Sequence, residues 1–431
     1  MSKHLEIFAS YLVEDSMVKI DLRKHTRIAL LYFLVIALLG VWLRLFFVFR
    51  MPDGFNFNNV LHAHSHTALL GWIFIGLMTL IYRVYIDETS ENKSYRRIFL
   101  LSNISALGML ISFPIQGYAF YSISFSTLYL INSYVFTGFI VRNVPERFKY
   151  RPSFMMVRMG LFYLVFSSLG IWAVGPVTAT VGSDSDWFKY ALYFFLHFLY
   201  SGFFFSTLIG ILLHILEENK IEISAHRFSQ FFVFLHFGII FSYMLSVLWT
   251  GPNPVFYFIA TTGAVMQIYG YYLFYKLIGP HLPYLKERLG SFGYGTMKIA
   301  WILLIIRIFM QLASALPYFA ALAIKYRDFI IGYLHMVFLG IIIPVMLIFL
   351  HYYKLMHLSR KPFILFLSTV FITEILIFYR AIAYWLHLPM PELLFFNHLL
   401  AWISLLFPIS VVWIIIQSKT FSLRLDSQIN I

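Results

Sequence analysis

The feature that most constrains this chain is a succession of mainly apolar runs, each about 20 residues long, separated by short polar segments. A helix of about 20 apolar residues matches the ~30 Å hydrocarbon core of a bilayer. In that medium each backbone N–H and C=O must find its partner inside the protein, so isolated runs fold as helices. By this test, spans are expected at 28–49, 62–82, 97–115, 118–141, 155–178, 189–215, 228–250, 254–278, 296–318, 329–351, 363–387 and 394–417. The shortest division lies within 97–141, where Pro114 and Gly117 mark a tight turn. The expected fold is an all-α integral membrane protein, a bundle of about twelve transmembrane helices with both termini cytoplasmic. Its expected parts are an N-terminal tail over 1–27, one transmembrane domain over 28–417 and a C-terminal tail over 418–431. No soluble domain, low-complexity tract or internal repeat stands out. The first 27 residues are too polar for a cleavable signal peptide.

Composition agrees. Only 12% of the residues are charged, where soluble domains carry about 25%. Cysteine is absent, which excludes disulfides, thiolate zinc sites and iron–sulfur clusters. The net charge of +13 would in a soluble protein point to nucleic acid, but here its placement decides. Of the 32 basic residues, 25 fall in the tails and alternate loops, among them Lys3, Lys19, Arg96, Arg147, Lys220, Lys286, Lys354, Lys419 and Arg424. The opposite loops hold only Arg50, Lys189, Lys325 and Arg327, and three more, Arg44, Arg307 and Arg380, fall inside spans. Lys and Arg concentrate in cytoplasmic loops. Both termini are therefore expected inside, with every even-numbered helix starting at the outer face and no nucleic-acid partner.

Ionisable groups within spans are costly and point to function. His62, His64 and His66 open helix two, and His197, His335 and His398 lie near the starts of helices six, ten and twelve. His387 closes helix eleven. All share the outer third of the bilayer. His62 and His66, four apart, share a face while His64 points elsewhere, so the three cannot bind one ion from a regular helix. Any of these histidines, His387 and His398 above all, can also serve as a hydrogen-bonding or interfacial group. Neutral imidazole suits haem iron, copper and zinc. Haem is the natural large cofactor for a Phe-rich bundle without cysteine, with Arg44, Arg50 and Arg380 as partners for its propionates. Arg380 alternatively pairs with Glu374, and both readings stay open. His214, His226, His281, His351 and His357 read as interfacial or loop residues at cytoplasmic ends. Arg307 and Gln311 form a polar seam on helix nine. No phosphate loop, nucleophile elbow or metalloprotease motif is present.

The segment from His64 to Trp72, HSHTALLGW, and that from Gly332 to Gly340, GYLHMVFLG, resemble the helix-two and helix-ten haem motifs of haem–copper oxidase subunit I, nearest the branch of nitric oxide reductases and C-type oxidases. The resemblance covers nearly the whole chain in architecture. It implies one haem b with axial ligands His66 and His335, with His64 as the alternative to His66. It also implies a second metal, copper or non-haem iron, on His197. The family's other ligands are missing. Tyr333 stands where helix ten would carry its earlier histidine, and the outer end of helix seven reads Val247-Leu-Trp-Thr-Gly-Pro-Asn-Pro254. His236 lies too deep to substitute. Ser201 follows His197 by four residues where the family carries tyrosine or glutamate, and Tyr200 is one residue off. His64, His197 and Tyr333 would then line a depleted cavity. The resemblance further implies electron transfer, respiratory oxidoreduction or small-gas binding. The setting would be a bacterial inner membrane, with a separate cytochrome c or other electron-transfer subunit as partner. The alternative is a non-enzymatic transporter or assembly factor using the same histidines for a metal ion.

Overall fold

In the computed structural model, the structure describes residues 20–52, 54–86 and 92–429, with side chains as far as Ser418. Most of the tail expected over 1–27, including Lys3 and Lys19, and the side chains of Lys419 and Arg424 lie outside the described residues. Every described element is helical.

The long helices are α1 (Leu22–Leu45), α2 (Phe57–Tyr85), α3 (Lys93–Gln116), α4 (Phe120–Asn143), α5 (Pro152–Val181) and α6 (Asp186–Glu217). They continue with α7 (Ala225–Ser242, prolonged by 3-10 turns to Thr250), α8 (Pro254–Ile278), α9 (Leu282–Ser314), α10 (Arg327–Tyr352), α11 (Arg360–Leu386) and α12 (Leu393–Ser418 as an apolar run, with a break at Leu405). Among the described residues, eleven stretches are long and apolar enough to cross a membrane. One of them, Pro254–Ser314, holds both α8 and α9. A straight helix of 61 residues would run about 90 Å at 1.5 Å per residue, three times a bilayer core. It is instead broken by a 3-10 turn at Gly279–His281 and by Gly290, whose φ of 69° is non-helical. Beyond the break α9 folds back, and Trp301 meets Tyr271, Phe274 and Tyr275 of α8.

Helix starts are fixed by local chemistry. The first N–H groups of a helix lack partners, and short polar side chains supply them. Asp21 accepts from the Lys24 N–H, Asn56 from those of Asn58 and Asn59, and Ser185 from that of Phe188. Pro152 and Pro254, with no N–H to satisfy, sit in the first turns of α5 and α8. The expected tight turn between α3 and α4 is present at Gly117, whose φ of 63° suits glycine. Pro114 lies inside α3 rather than ending it.

Three helices form the centre. The apolar windows of α2, α6 and α10 are 83%, 94% and 72% buried, and no other exceeds 56%. They meet one another directly: Phe74 lies 5.9 Å from Phe203, Tyr200 lies 5.9 Å from Phe338, and a methyl added at Gly76 would press on the Met346 sulfur. Each carries one π-helical segment, Thr67–Phe74, Phe198–Phe204 and Met336–Ile342, and each segment begins directly after a histidine, His66, His197 or His335. π-Helical segments are rare and concentrate at functional sites.

These segments expose an internal repeat where none was evident in the sequence. The pattern histidine, four residues, glycine recurs as His66/Gly71, His197/Gly202 and His335/Gly340. Each glycine lets the preceding helix approach. A Cβ there would stand 3.0 Å from Tyr32 of α1, 2.5 Å from Tyr163 of α5 and 2.7 Å from Leu303 of α9. The pattern thus recurs on the three innermost helices, each packed at its glycine against the helix that precedes it.

Candidate cofactor site and its polar neighbour

The end of the bundle where α2, α6 and α10 begin gathers the candidate residues. His64 turns toward α1, where its Nδ1 lies 3.0 Å from the Ile36 carbonyl. A carbonyl only accepts, so Nδ1 carries the proton and Nε2 keeps its lone pair. Gly40 makes the approach possible, since a Cβ there would lie 3.2 Å from the His64 ring. On α10, the His335 Nδ1 stands 3.4 Å from the Glu374 carboxylate of α11. The two histidines lie within electrostatic reach of each other. Open space adjoins His335, whose side chain keeps 32% of its surface accessible while Glu374 keeps 10%.

Cations surround this pair. Arg380 forms a two-pronged ion pair with Asp328, 2.6 Å from Nε and 2.7 Å from Nη2, and its Nη1 donates to Asn397 at 3.0 Å. Of the two sequence readings for Arg380, the ion pair with Glu374 is overturned: Asp328 takes the guanidinium, and Glu374 faces His335 instead. Arg44 lies within electrostatic reach of Arg380, Glu374, Asp328 and His64. Among the described residues it forms no hydrogen bond or ion pair of its own, so its guanidinium is available to an anionic group. Arg50 is exposed beyond the end of α1.

His66 lies apart from this group. Its Nε2 is 3.0 Å from the Tyr118 hydroxyl, and its ring stacks on Phe113 at 4.4 Å. His62 edges the same Tyr118 ring at 4.6 Å, so the two share a face as their spacing predicted. His398 meets Phe49 edge-on, at 5.8 Å, and His387 caps α11 with a φ of 54°.

His197 belongs to a second polar group on the other side of α10. Its Nε2 donates to the Ile239 carbonyl of α7 at 2.8 Å, and Arg307 of α9 is within electrostatic reach. Arg307 is fully buried. Its Nη2 donates to Ser201 at 2.7 Å, and it lies over the rings of Phe205 at 4.7 Å and Tyr200 at 5.9 Å. Its Nε and Nη1 have no partner, nor do the nearby Tyr333 hydroxyl and the Gln311 side-chain oxygen. Tyr200, Tyr271 and Tyr333 surround the guanidinium, and no carboxylate forms an ion pair with it among the described residues. The seam expected of Arg307 and Gln311 is therefore the core of a buried island with Ser201 and three tyrosines. Sequence reasoning had no means to find these neighbours, which come from α6, α8 and α10. Also buried is His236, neither of whose ring nitrogens is bonded. No group of three or more His, Cys, Asp or Glu side chains that could hold a metal ion occurs among the described residues.

No protein-family model matches this chain, and no curated protein matches it.

Proposed function

We propose that this is a twelve-crossing membrane protein with both termini cytoplasmic, similar to haem–copper oxidase subunit I. In this reading it holds one haem b between His64 and His335 for electron transfer or the binding of a small gas. The observation that carries the reading is the pair itself. Two histidines from helices two and ten lie within electrostatic reach of each other; the His64 Nδ1 is held by the Ile36 carbonyl, and the His335 Nδ1 stands 3.4 Å from the Glu374 carboxylate. Metal-ligating histidines almost always have the second nitrogen engaged in this way, by a carbonyl or a carboxylate.

The donor set fits the group. Two imidazoles are offered without thiolates, and Arg44 adds a guanidinium with no other partner beside the Arg380–Asp328 pair. Haem supplies one-electron chemistry at its iron. The residues do the rest. The Ile36 carbonyl holds His64 in one tautomer, and the Glu374 carboxylate stands 3.4 Å from the His335 Nδ1. Arg44 would neutralise a carboxylate of the bound group, while Arg380 stays paired with Asp328. The lower polarity of the apolar walls strengthens each of these interactions.

The test is an optical spectrum and pyridine haemochrome of protein expressed with ample haem. His64→Ala and His335→Ala should each abolish the low-spin spectrum, and His66→Ala should keep it. Protein without haem sinks the reading. Loss of the spectrum in His66→Ala, with His64→Ala unaffected, would return the axial role to His66.

A further inference from the structure

The end of the bundle opposite the histidines carries two adjoining cavities of opposite chemistry. One, of about 390 Å³, lies between α6, α8, α9 and α10. Its walls are aliphatic and aromatic, among them Phe205, Leu212, Phe274, Trp301 and Phe349, with Lys298 at its edge. The second, of about 550 Å³, is bounded by Arg227, Gln230, Lys276 and the Gly279–Pro280 turn. Tyr275 is a wall of both. The apolar volume falls within the range of built ligand pockets, about 300–1,000 Å³.

The charged residues that line the two cavities, Arg227, Lys276 and Lys298, are all of one sign. Lys276 rests over Tyr272 at 5.7 Å and Lys298 over Tyr294 at 4.9 Å. Neither they nor Arg227 form an ion pair with a carboxylate among the described residues. A neutral apolar molecule would use the first cavity and leave the cations of the second without a role. A soluble anion would use the cations and leave the apolar cavity empty. One molecule that meets both is an amphiphile with an acyl chain and a negative head.

We propose that the two cavities form a single binding site for an anionic phospholipid, with an acyl chain between α6, α8 and α10 and its phosphate at Arg227 and Lys276. Basic residues beside a membrane surface attract anionic lipid head groups, and here they adjoin an apolar slot across the shared wall of Tyr275. The inference does not depend on the haem. Its outcome and that of the haem test are independent.

The experiment uses the full chain, delipidated in detergent and reconstituted in nanodiscs of phosphatidylcholine with increasing phosphatidylglycerol. Lipid retained after re-extraction is counted by native mass spectrometry. Wild type should retain one phosphatidylglycerol preferentially. Arg227→Gln and Lys276→Gln should each weaken that preference about fivefold, and Arg227→Lys should restore most of it. Leu212→Trp, which fills the apolar cavity, should remove retention of both lipids while helix content by circular dichroism is unchanged. Equal retention of the two lipids by wild type overturns the proposal without reference to any variant. So does a double Gln variant with undiminished preference, or a neutral lipid-soluble molecule recovered from the cavity.

Discussion

The two polar groups at the centre of this protein solve the problem of charge in a membrane in opposite ways. Around His335, charges of both signs gather: Arg380 pairs with Asp328, His335 stands beside Glu374, and Arg44 lies within electrostatic reach of both carboxylates. Around His197, the charge comes alone. Arg307 is fully buried and is met by Ser201 and by aromatic faces, with three tyrosines around it. The first group leaves its imidazoles near open space, while the second packs its cation among side chains. The contrast teaches that position in the repeat does not fix chemistry. His66, His197 and His335 each precede a π-helical segment and a glycine five residues on, yet they face a tyrosine hydroxyl, a backbone carbonyl and a carboxylate.

The largest effect is expected where a pair is broken. Arg380→Met leaves the half-buried Asp328 without its partner, a loss approaching the ~3–5 kcal/mol of breaking a buried ion pair. Thermal unfolding in detergent measures it. A loss below about 1 kcal/mol, the value of an exposed pair, would show that water reaches Asp328 and that the pairing is superficial.

The next effect tests the lone cation. Among the described residues, Ser201 supplies the one hydrogen bond of the Arg307 guanidinium. Hydrogen bonds to charged groups contribute about 1.5–3 kcal/mol, and Ser201→Ala should cost that much. The same change made together with Arg307→Met should cost close to nothing, because the coupling between contacting residues disappears with the partner. An equal cost in both backgrounds would mean that Ser201 acts through packing.

How much of this was legible in the sequence follows from the range of the interactions. The spans were readable because each apolar run satisfies its own backbone. Their ends were less so. Leu22 begins α1 six residues before the apolar run, because Asp21 caps a turn carrying Arg23, Lys24 and Arg27. α9 likewise begins at Leu282, well before the span expected from 296. The gathering of histidines at one end was readable from spacing. Which helix-two histidine meets His335 was not, because the choice rests on Gly40 admitting α1 to His64 and on the turn at Gly117 bringing Tyr118 to His66. The recurrence of histidine and glycine five apart lay in the sequence all along. It becomes meaningful only when Tyr32, Tyr163 and Leu303 are seen against the three glycines.

The smallest effect is the most discriminating. Arg307→Met exchanges a buried guanidinium for a flexible apolar side chain that fills irregular space. A buried ion costs several kcal/mol to desolvate, and removal of buried charge in favour of apolar packing is often neutral or stabilising. With no carboxylate paired to Arg307 among the described residues, the variant should unfold at or above the wild-type temperature, even with Ser201 left without its donor. A loss comparable to that of Arg380→Met would mean that a counter-charge reaches the guanidinium, and the island would then be a second ionic site. An unchanged or raised unfolding temperature would leave the cation without a structural reason to be there. Its persistence beside Tyr200, Tyr271 and Tyr333 would then be explained by chemistry at that site rather than by folding.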